Sequence, residues 1–385
     1  MSPAPARHPV VELLVEAVSG AEPPRSWGDE PRLASTDPRE VLAVAQAHRL
    51  GPTLARHLSR TADLPEGLAD ELAEIRTELM LRHLTALADL APVAQALDEA
   101  DVAWAVVKGP VAAVDLWPHP DMRGYLDLDL LVDPARLPEV IDLLLGLDAE
   151  QVDLNWGLIR DQERGELTFI LPRGTVLDLH WHLVNDAALR AGLRWGTREV
   201  LARRRRVQVG SLVLPTLDRA DTLIHLAYHA THSGAYRLLW LKDVAAAWSR
   251  IEDPVEVVHR AEAARLDMLV RCALDRAALV LGAEHCPRLP WRSRRGAAWR
   301  AVLRGLDRRS AVPGPGDHGR TGRTRFTSVR LATWSSVVAL VTEAVGHLLE
   351  HRDSRDPEDL PDNPLHEPDG DLAARAEYLA TVALR

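Results

Sequence analysis

From Pro38 to about Ala100 the apolar residues recur at spacings of three and four, the period of a helix with one buried face. The stretch DPREVLAVAQAHRLGPTLARHLS opens at an Asp-Pro cap, and PEGLADELAEIRTELMLRHLTALADLAPVAQALDEA carries the spacing onward. With one short helix around 10–18, residues 1–100 therefore read as an N-terminal helical lobe. The period then changes to two. VAWAVV (102–107) is strand-like and ends at Lys108-Gly109-Pro110, where Pro110 suits the first turn of a helix reaching about Leu116. A loop at 117–125 leads into the strand LDLDLLV, a helix follows in PARLPEVIDLLLGL, and further strand-like runs lie at 151–156, 166–171 and 175–183. A short strand pair is expected around 206–214. This order predicts an α+β core over 101–215, a small mixed sheet with packed helices. Helical periodicity returns over 216–309, and 310–385 reads as a linker (310–325), an acidic Pro-rich loop (350–371) and closing helices at 328–349 and 371–385.

The alternation in GYLDLDLLVD puts Asp127 and Asp129 on one strand face, about 7 Å apart along the chain. Two like charges among leucines repel, and a half-buried carboxylate loses hydration. The pair becomes favourable if a divalent cation sits between the side chains. Mg²⁺ prefers carboxylate oxygens and bridges to substrate phosphates. In VLDLHWHL, Asp178 shares a face with Val176, His180 and His182. If the two strands are neighbours, three carboxylates converge, a set able to hold metal ions for phosphoryl or nucleotidyl transfer, with Asp178 placed to accept the proton of an acceptor hydroxyl. Lys108 and Gly109, between a strand and a helix, can offer an ammonium and backbone N–H groups to a triphosphate. His180 is a candidate for orienting Asp178.

Composition narrows the partners. Hydrophobic residues make up 46% and net charge is −10, so a core can be buried but no overall field attracts nucleic acid or an anionic membrane. Arg203–Arg206 is the clearest local basic run. The only lysines are Lys108 and Lys242, positions where a compact ammonium would do what a guanidinium cannot. Two cysteines are too few for a disulfide framework, the N-terminal apolar run is broken by Glu12 and Glu16, and 334–349 is shorter than a bilayer span. A cytoplasmic protein with no membrane association is expected.

Three histidines, His225, His229 and His232, fall on one helix face at i, i+4 and i+7. They lack the adjacent glutamate of a zincin, which favours a packed helix face over a zinc site, with His229 or His232 as a possible phosphate contact. Tyr125, Trp181 and Tyr228 are candidates for stacking on a base.

WAVVKGPVAAVDLWPHPDMRGYLDLDLLVDPARLPEVIDLL, then VLDLHWHL, then LIHLAYHATHSGAYRLLWLKDVAAAW together resemble the uncharacterised nucleotidyltransferases of the DNA polymerase beta-like superfamily, over roughly 100–250. That resemblance implies a nucleotidyltransferase-type sheet flanked by helical lobes. It implies Asp127, Asp129 and Asp178 as catalytic metal ligands for Mg²⁺ (or Mn²⁺). Lys108, Gly109, Arg123 and Lys242 would bind nucleotide, with His180 and His229 supporting them. The expected reaction moves an NMP from an NTP to a hydroxyl or phosphate acceptor and releases pyrophosphate. The acidic charge favours a small molecule, peptide or protein acceptor over long nucleic acid. Pro110 and Leu126 depart from the superfamily's small residues and would narrow the site. Two rival readings are a catalytically silent binding module, favoured by those departures, and a metal-dependent hydrolase built on Asp178, His180 and the three-histidine face.

Overall fold

The computed structural model describes residues 9–286 and 363–384. Four helices, α1 (Pro9–Ser19), α2 (Pro31–Ala34), α3 (Pro38–Ala47) and α4 (Gly51–Leu58), precede the long α5 (Leu68–Glu99). Helix α3 starts as its sequence dictates: Asp37 accepts a hydrogen bond from Arg39 N, and Pro38 occupies the first turn. In α5, Leu79, His83, Ala86, Leu90, Val93 and Leu97 form the buried stripe, while Leu81 and Leu84 on the other side are exposed.

The core sheet contains β1 (Trp104–Val106), β2 (Asp127–Val132), β3 (Glu150–Gln151), β4 (Glu166–Ile170) and β5 (Val176–His180), in the order β1-β2-β5-β4-β3. Strands β2 and β5 run parallel and the other pairs are antiparallel. Helix α6 (Gly109–Leu116) joins β1 to β2; α7 (Leu137–Gly146) and α8 (Trp156–Asp161) follow β2 and β3. After α9 (Ala187–Gly192) and α10 (Thr197–Ala202), β6 (Arg205–Val209) and β7 (Leu212–Thr216) form a separate hairpin. Helices α11 (Arg219–His232), α12 (Leu238–Trp248), α13 (Pro254–Ala263) and α14 (Asp267–Leu281) come next, and α15 (Leu372–Ala383) returns to pack near α7 and α8.

Two large apolar cores divide the molecule. One face of the sheet, with Leu128, Leu130, Phe169, Leu177 and Leu179, packs with the α5 stripe, α7 and α15. The other core unites α1, α3 and α4 with α11, α12 and α14, so helices from opposite ends of the family of elements share one interior. The sequence expectations at 151–156 and 328–349 fare differently. At 151–156 only Glu150–Gln151 forms a strand and α8 begins at Trp156, because the Asp153 carboxylate accepts from Thr168 N across the strand end. Residues 310–325, 328–349 and most of the acidic loop lie outside the described residues.

The two helical segments and the sheet are braced by a buried ion pair. Arg123, in the loop before β2, donates from Nε and Nη2 to Asp243 of α12 at 2.8–3.1 Å, and Trp117 Nε1 donates to the same carboxylate at 2.7 Å. Both charged side chains are almost fully buried. Removing one partner strands the other charge in the interior. Arg123→Met or Asp243→Leu should therefore lower unfolding free energy by about 3–5 kcal/mol, and the Arg123→Met/Asp243→Leu double variant should lose less than the sum of these two singles. Denaturant titration of the four proteins measures this, and additive losses would contradict the brace.

Candidate functional site

The apolar face of the sheet explains the polar one. With Leu128, Leu130, Leu177 and Leu179 turned to the core, period two turns Asp127 and Asp129 of β2, Asp178 and His180 of β5, and Glu166 and Thr168 of β4 to the opposite face. The parallel register sets Asp129 beside Asp178, and the antiparallel one sets Thr168 beside Asp178 and Glu166 beside His180. Lys108 arrives from the end of β1. Gly109 follows it with φ +54°, a left-handed conformation that suits glycine, and packs close to the Asp127 carbonyl. Val107 N donates to Asp129 O at 3.1 Å, which fixes the height of Lys108 against β2.

Asp129 is the centre of the cluster. Its Oδ1 lies 2.7 Å from Lys108 Nζ and 3.3 Å from His180 Nε2. The other ring nitrogen, Nδ1, lies 3.1 Å from Glu166 Oε2. Burial works against the Asp129 charge, but Lys108 and His180 outweigh it and hold the carboxyl well below the usual range. Burial likewise opposes charge on His180, yet its bonds to Asp129 and Glu166 win and push the imidazole up to about 10. Asp178 is pushed up to about 7 by burial, against the favourable charge of His180, and its Oδ1 accepts from Thr168 Oγ1 at 3.0 Å. Burial and the neighbouring Asp129 also raise Asp127.

Among the described residues, Asp129, Asp178 and His180 form the one group of three or more potential metal ligands, with ligand atoms all within 4.8 Å of one another. Asp129 Oδ2 is buried and has no hydrogen-bond partner there. Two clustered carboxylates and an orphaned buried oxygen fit a divalent cation. Asp127 borders this group and pairs with Val176 across the strands. His180 bonds to Asp129 rather than to Asp178, the carboxylate the sequence reading gave it.

The remaining expected residues divide. Lys108 and Gly109 sit at the cluster. Arg123 also feels Asp127 and Asp129, but its guanidinium is buried against Asp243, with Nη1 3.4 Å from Gly109 O. Burial pushes the Lys242 ammonium down, and the groups acting on it are Asp243 and the Cys286 thiol rather than any of the three aspartates. His225 and His229 feel the Lys108 charge; His229 packs edge-on against Trp240. The three-histidine face gathers no metal-ligand group among the described residues. Trp181 is fully buried against Tyr378, Tyr125 bonds His83 at 2.8 Å, and Tyr228 is also buried, so these rings serve the interior rather than an open stacking face. Pro110 is buried in the first turn of α6, where no N–H is needed, and Leu126 is 56% exposed.

Sequence reasoning did not single out Glu166 or Thr168, and it read Asp243 only as a pair with Lys242, at the surface or in the cleft, whereas its partner is Arg123. The first two were legible as the polar alternation of ELTFI, once that strand is known to pair with β5. Asp243 carried no pattern of its own, since its role depends on a residue 120 positions away.

His225 provides a pH test. Burial, assisted by Lys108, depresses its imidazole to about 3, and both ring nitrogens lack hydrogen-bond partners. The unfolded chain protonates this residue near 6.5 and the folded chain resists, so the unfolded state binds more protons as pH falls. Between pH 7 and pH 5 this residue should cost about 2 kcal/mol of stability, present above its unfolded pKa and lost on acidification. His225→Leu should flatten the pH dependence by that amount in denaturant titrations at the two pH values; an unchanged slope would contradict it.

No helix among the described residues is long and apolar enough to cross a membrane. A search of curated proteins gave no match. The family model described as uncharacterised nucleotidyltransferase matches residues 34–282, spanning α3 to α14 and the whole carboxylate face. The chain belongs to that uncharacterised nucleotidyltransferase family.

Proposed function

We propose that the protein transfers a nucleoside monophosphate from an NTP to a hydroxyl or phosphate acceptor, with Mg²⁺ or Mn²⁺ as cofactor. The observation carrying this reading is the parallel register that sets Asp129 beside Asp178, with ligand atoms within 4.8 Å. Asp129 and Asp178 would hold the cation, with Asp127 at the edge of the same face. Both nitrogens of His180 are engaged by carboxylates, which leaves oxygen donors for the ion and favours Mg²⁺ or Mn²⁺ over zinc. When bound, such an ion neutralises charge developing on the transferred phosphoryl group.

The chain's own residues supply the rest. His180 and Glu166 keep Asp129 ionised and oriented from one side. Lys108, salt-bridged to Asp129 without nucleotide, is within reach of phosphates arriving at the same carboxylate. The Gly109 conformation lets the backbone approach β2 closely. Asp178, with its Oδ1 held by Thr168, is placed to take up the acceptor hydroxyl proton. A small molecule, peptide or protein is the preferred acceptor, because net charge is −10.

Incubation with each α-labelled NTP, Mg²⁺ and cell extract should give labelled acceptor. Asp127→Asn/Asp129→Asn should lose more than about 100-fold of that activity, exceeding the 10–100-fold typical of groups that only support metal ligands. EDTA should abolish labelling and Mg²⁺ or Mn²⁺ should restore it. Equal labelling by the double variant, at wild-type fold by circular dichroism, would contradict the proposal.

A further inference from the structure

Two arginines outside the carboxylate face stand together without a described counter-ion. Arg49 follows α3, in the left-handed position (φ +55°) of its terminal turn, where glycine or asparagine is the usual occupant. The turn is closed by Leu50 N donating to Ala45 O at 2.7 Å. The adjacent His48 is buried, and its Nδ1 accepts from Leu238 N, the first residue of α12, at 3.4 Å. That bond ties the α3–α4 turn to the start of α12 and so brings Arg49 to Arg237, the residue capping α12. The charged groups acting on Arg49 are Arg237, Asp127 and Arg123, with the Tyr236 hydroxyl. Arg123 is already neutralised by Asp243.

Arg237 is equally constrained. Its guanidinium lies 4.8 Å from the Trp240 ring centre and 5.6 Å from that of Tyr236, and its Nε is buried with no hydrogen-bond partner. Neither Arg49 nor Arg237 makes an ion pair or side-chain hydrogen bond among the described residues. A cation at a helix N-terminus also opposes the helix dipole. Two guanidinia brought together at a helix N-terminus, neither of them ion-paired, repel each other, and a bound anion would relieve that repulsion. Planar guanidinia bind phosphate oxygens in paired hydrogen bonds.

We infer that Arg49 and Arg237 form the seat for the polyphosphate end of the nucleotide, on the Asp127 side of the carboxylate face. This rests on the nucleotidyltransferase reading and names the side of the cleft from which the leaving pyrophosphate is held. It also gives the N-terminal helices a function: α3 delivers one half of the seat and α12 the other. The shared apolar core of these helices keeps the halves in register. In the transfer an acceptor oxygen bonds to the α-phosphorus as the bond from that phosphorus to the oxygen bridging the β-phosphate breaks; the departing pyrophosphate keeps the electron pair, and a hydroxyl acceptor gives its proton to Asp178. Guanidinia at the far phosphates would stabilise that growing charge.

Isothermal titration can separate the possible sources of phosphate. Wild type, Arg49→Gln, Arg237→Gln and Arg49→Lys are titrated with tripolyphosphate, a non-hydrolysable NTP with Mg²⁺, the matching NMP, and orthophosphate. Each glutamine variant should weaken tripolyphosphate and NTP-analogue binding by about tenfold or more, as expected for lost charged hydrogen bonds, with NMP binding nearly unchanged. Arg49→Lys should fall between, because it keeps charge without the fork. Thermal melts check folding; should Arg237→Gln not fold, the exposed Arg49 carries the test.

Unchanged NTP-analogue and tripolyphosphate affinity in the variants would overturn the inference. So would loss confined to orthophosphate, which would assign the pair to a phosphorylated acceptor. A wild type that binds tripolyphosphate through these arginines but no NTP would instead remove the nucleotidyltransferase reading.

Discussion

The carboxylate of Asp129 is buried between two cations, Lys108 at 2.7 Å and His180 at 3.3 Å, and the geometry of the whole site follows from that contact. A lone ionised carboxylate at this depth would neutralise itself by taking up a proton. Here the ammonium and the imidazolium keep it charged, and Glu166 in turn keeps the imidazole protonated. The result is a string of alternating charges, Lys108, Asp129, His180, Glu166, laid across three strands. The string ends there, and Asp178 beside it is left with a pKa near neutrality. Asp129 held ionised and Asp178 raised by burial thus share one face, and a cation bound between them would favour the charged form of both.

Everything around this string limits its movement. Gly109 lets the chain turn tightly after Lys108, and Arg123 ties the loop before β2 to α12 through Asp243. Helix α11 then brings His225 and His229 into the field of Lys108, where burial keeps them uncharged. Protonated, they would compete with Lys108 for the same carboxylate. The helical segments are thus more than packing: they exclude water from one side of the cluster and set the sign of charge there.

Much of this was legible in the sequence, because period-two alternation fixes which side chains share a face. Asp127 and Asp129 could be assigned to one face of their strand, and Asp178 and His180 to one face of theirs, without knowing the fold, and LDLDLLV and VLDLH both formed the strands their patterns required. Register was not legible. It decides that Asp129, not Asp127, is opposite Asp178, and that His180 reaches Asp129. Long-range pairing was equally hidden: Arg123 read as a pocket residue until Asp243 appeared beside it. Lys242 read as a cleft residue through the family resemblance, while the residues alone left a surface ion pair with Asp243 equally open. The aromatic residues misled for a related reason. Trp181 and Tyr125 are close to the site in sequence, but strand and loop geometry turn them into the interior.

The account stands on a divalent cation binding at Asp129 and Asp178 in competition with Lys108. Its most direct test is a crystal structure with Mn²⁺ and a non-hydrolysable NTP, located by manganese anomalous scattering. The account predicts a manganese peak at ligand distance from both carboxylates, with Lys108 Nζ turned from Asp129 toward a phosphate. A bound nucleotide with no peak at these two aspartates, or with the Lys108–Asp129 contact intact, would contradict it.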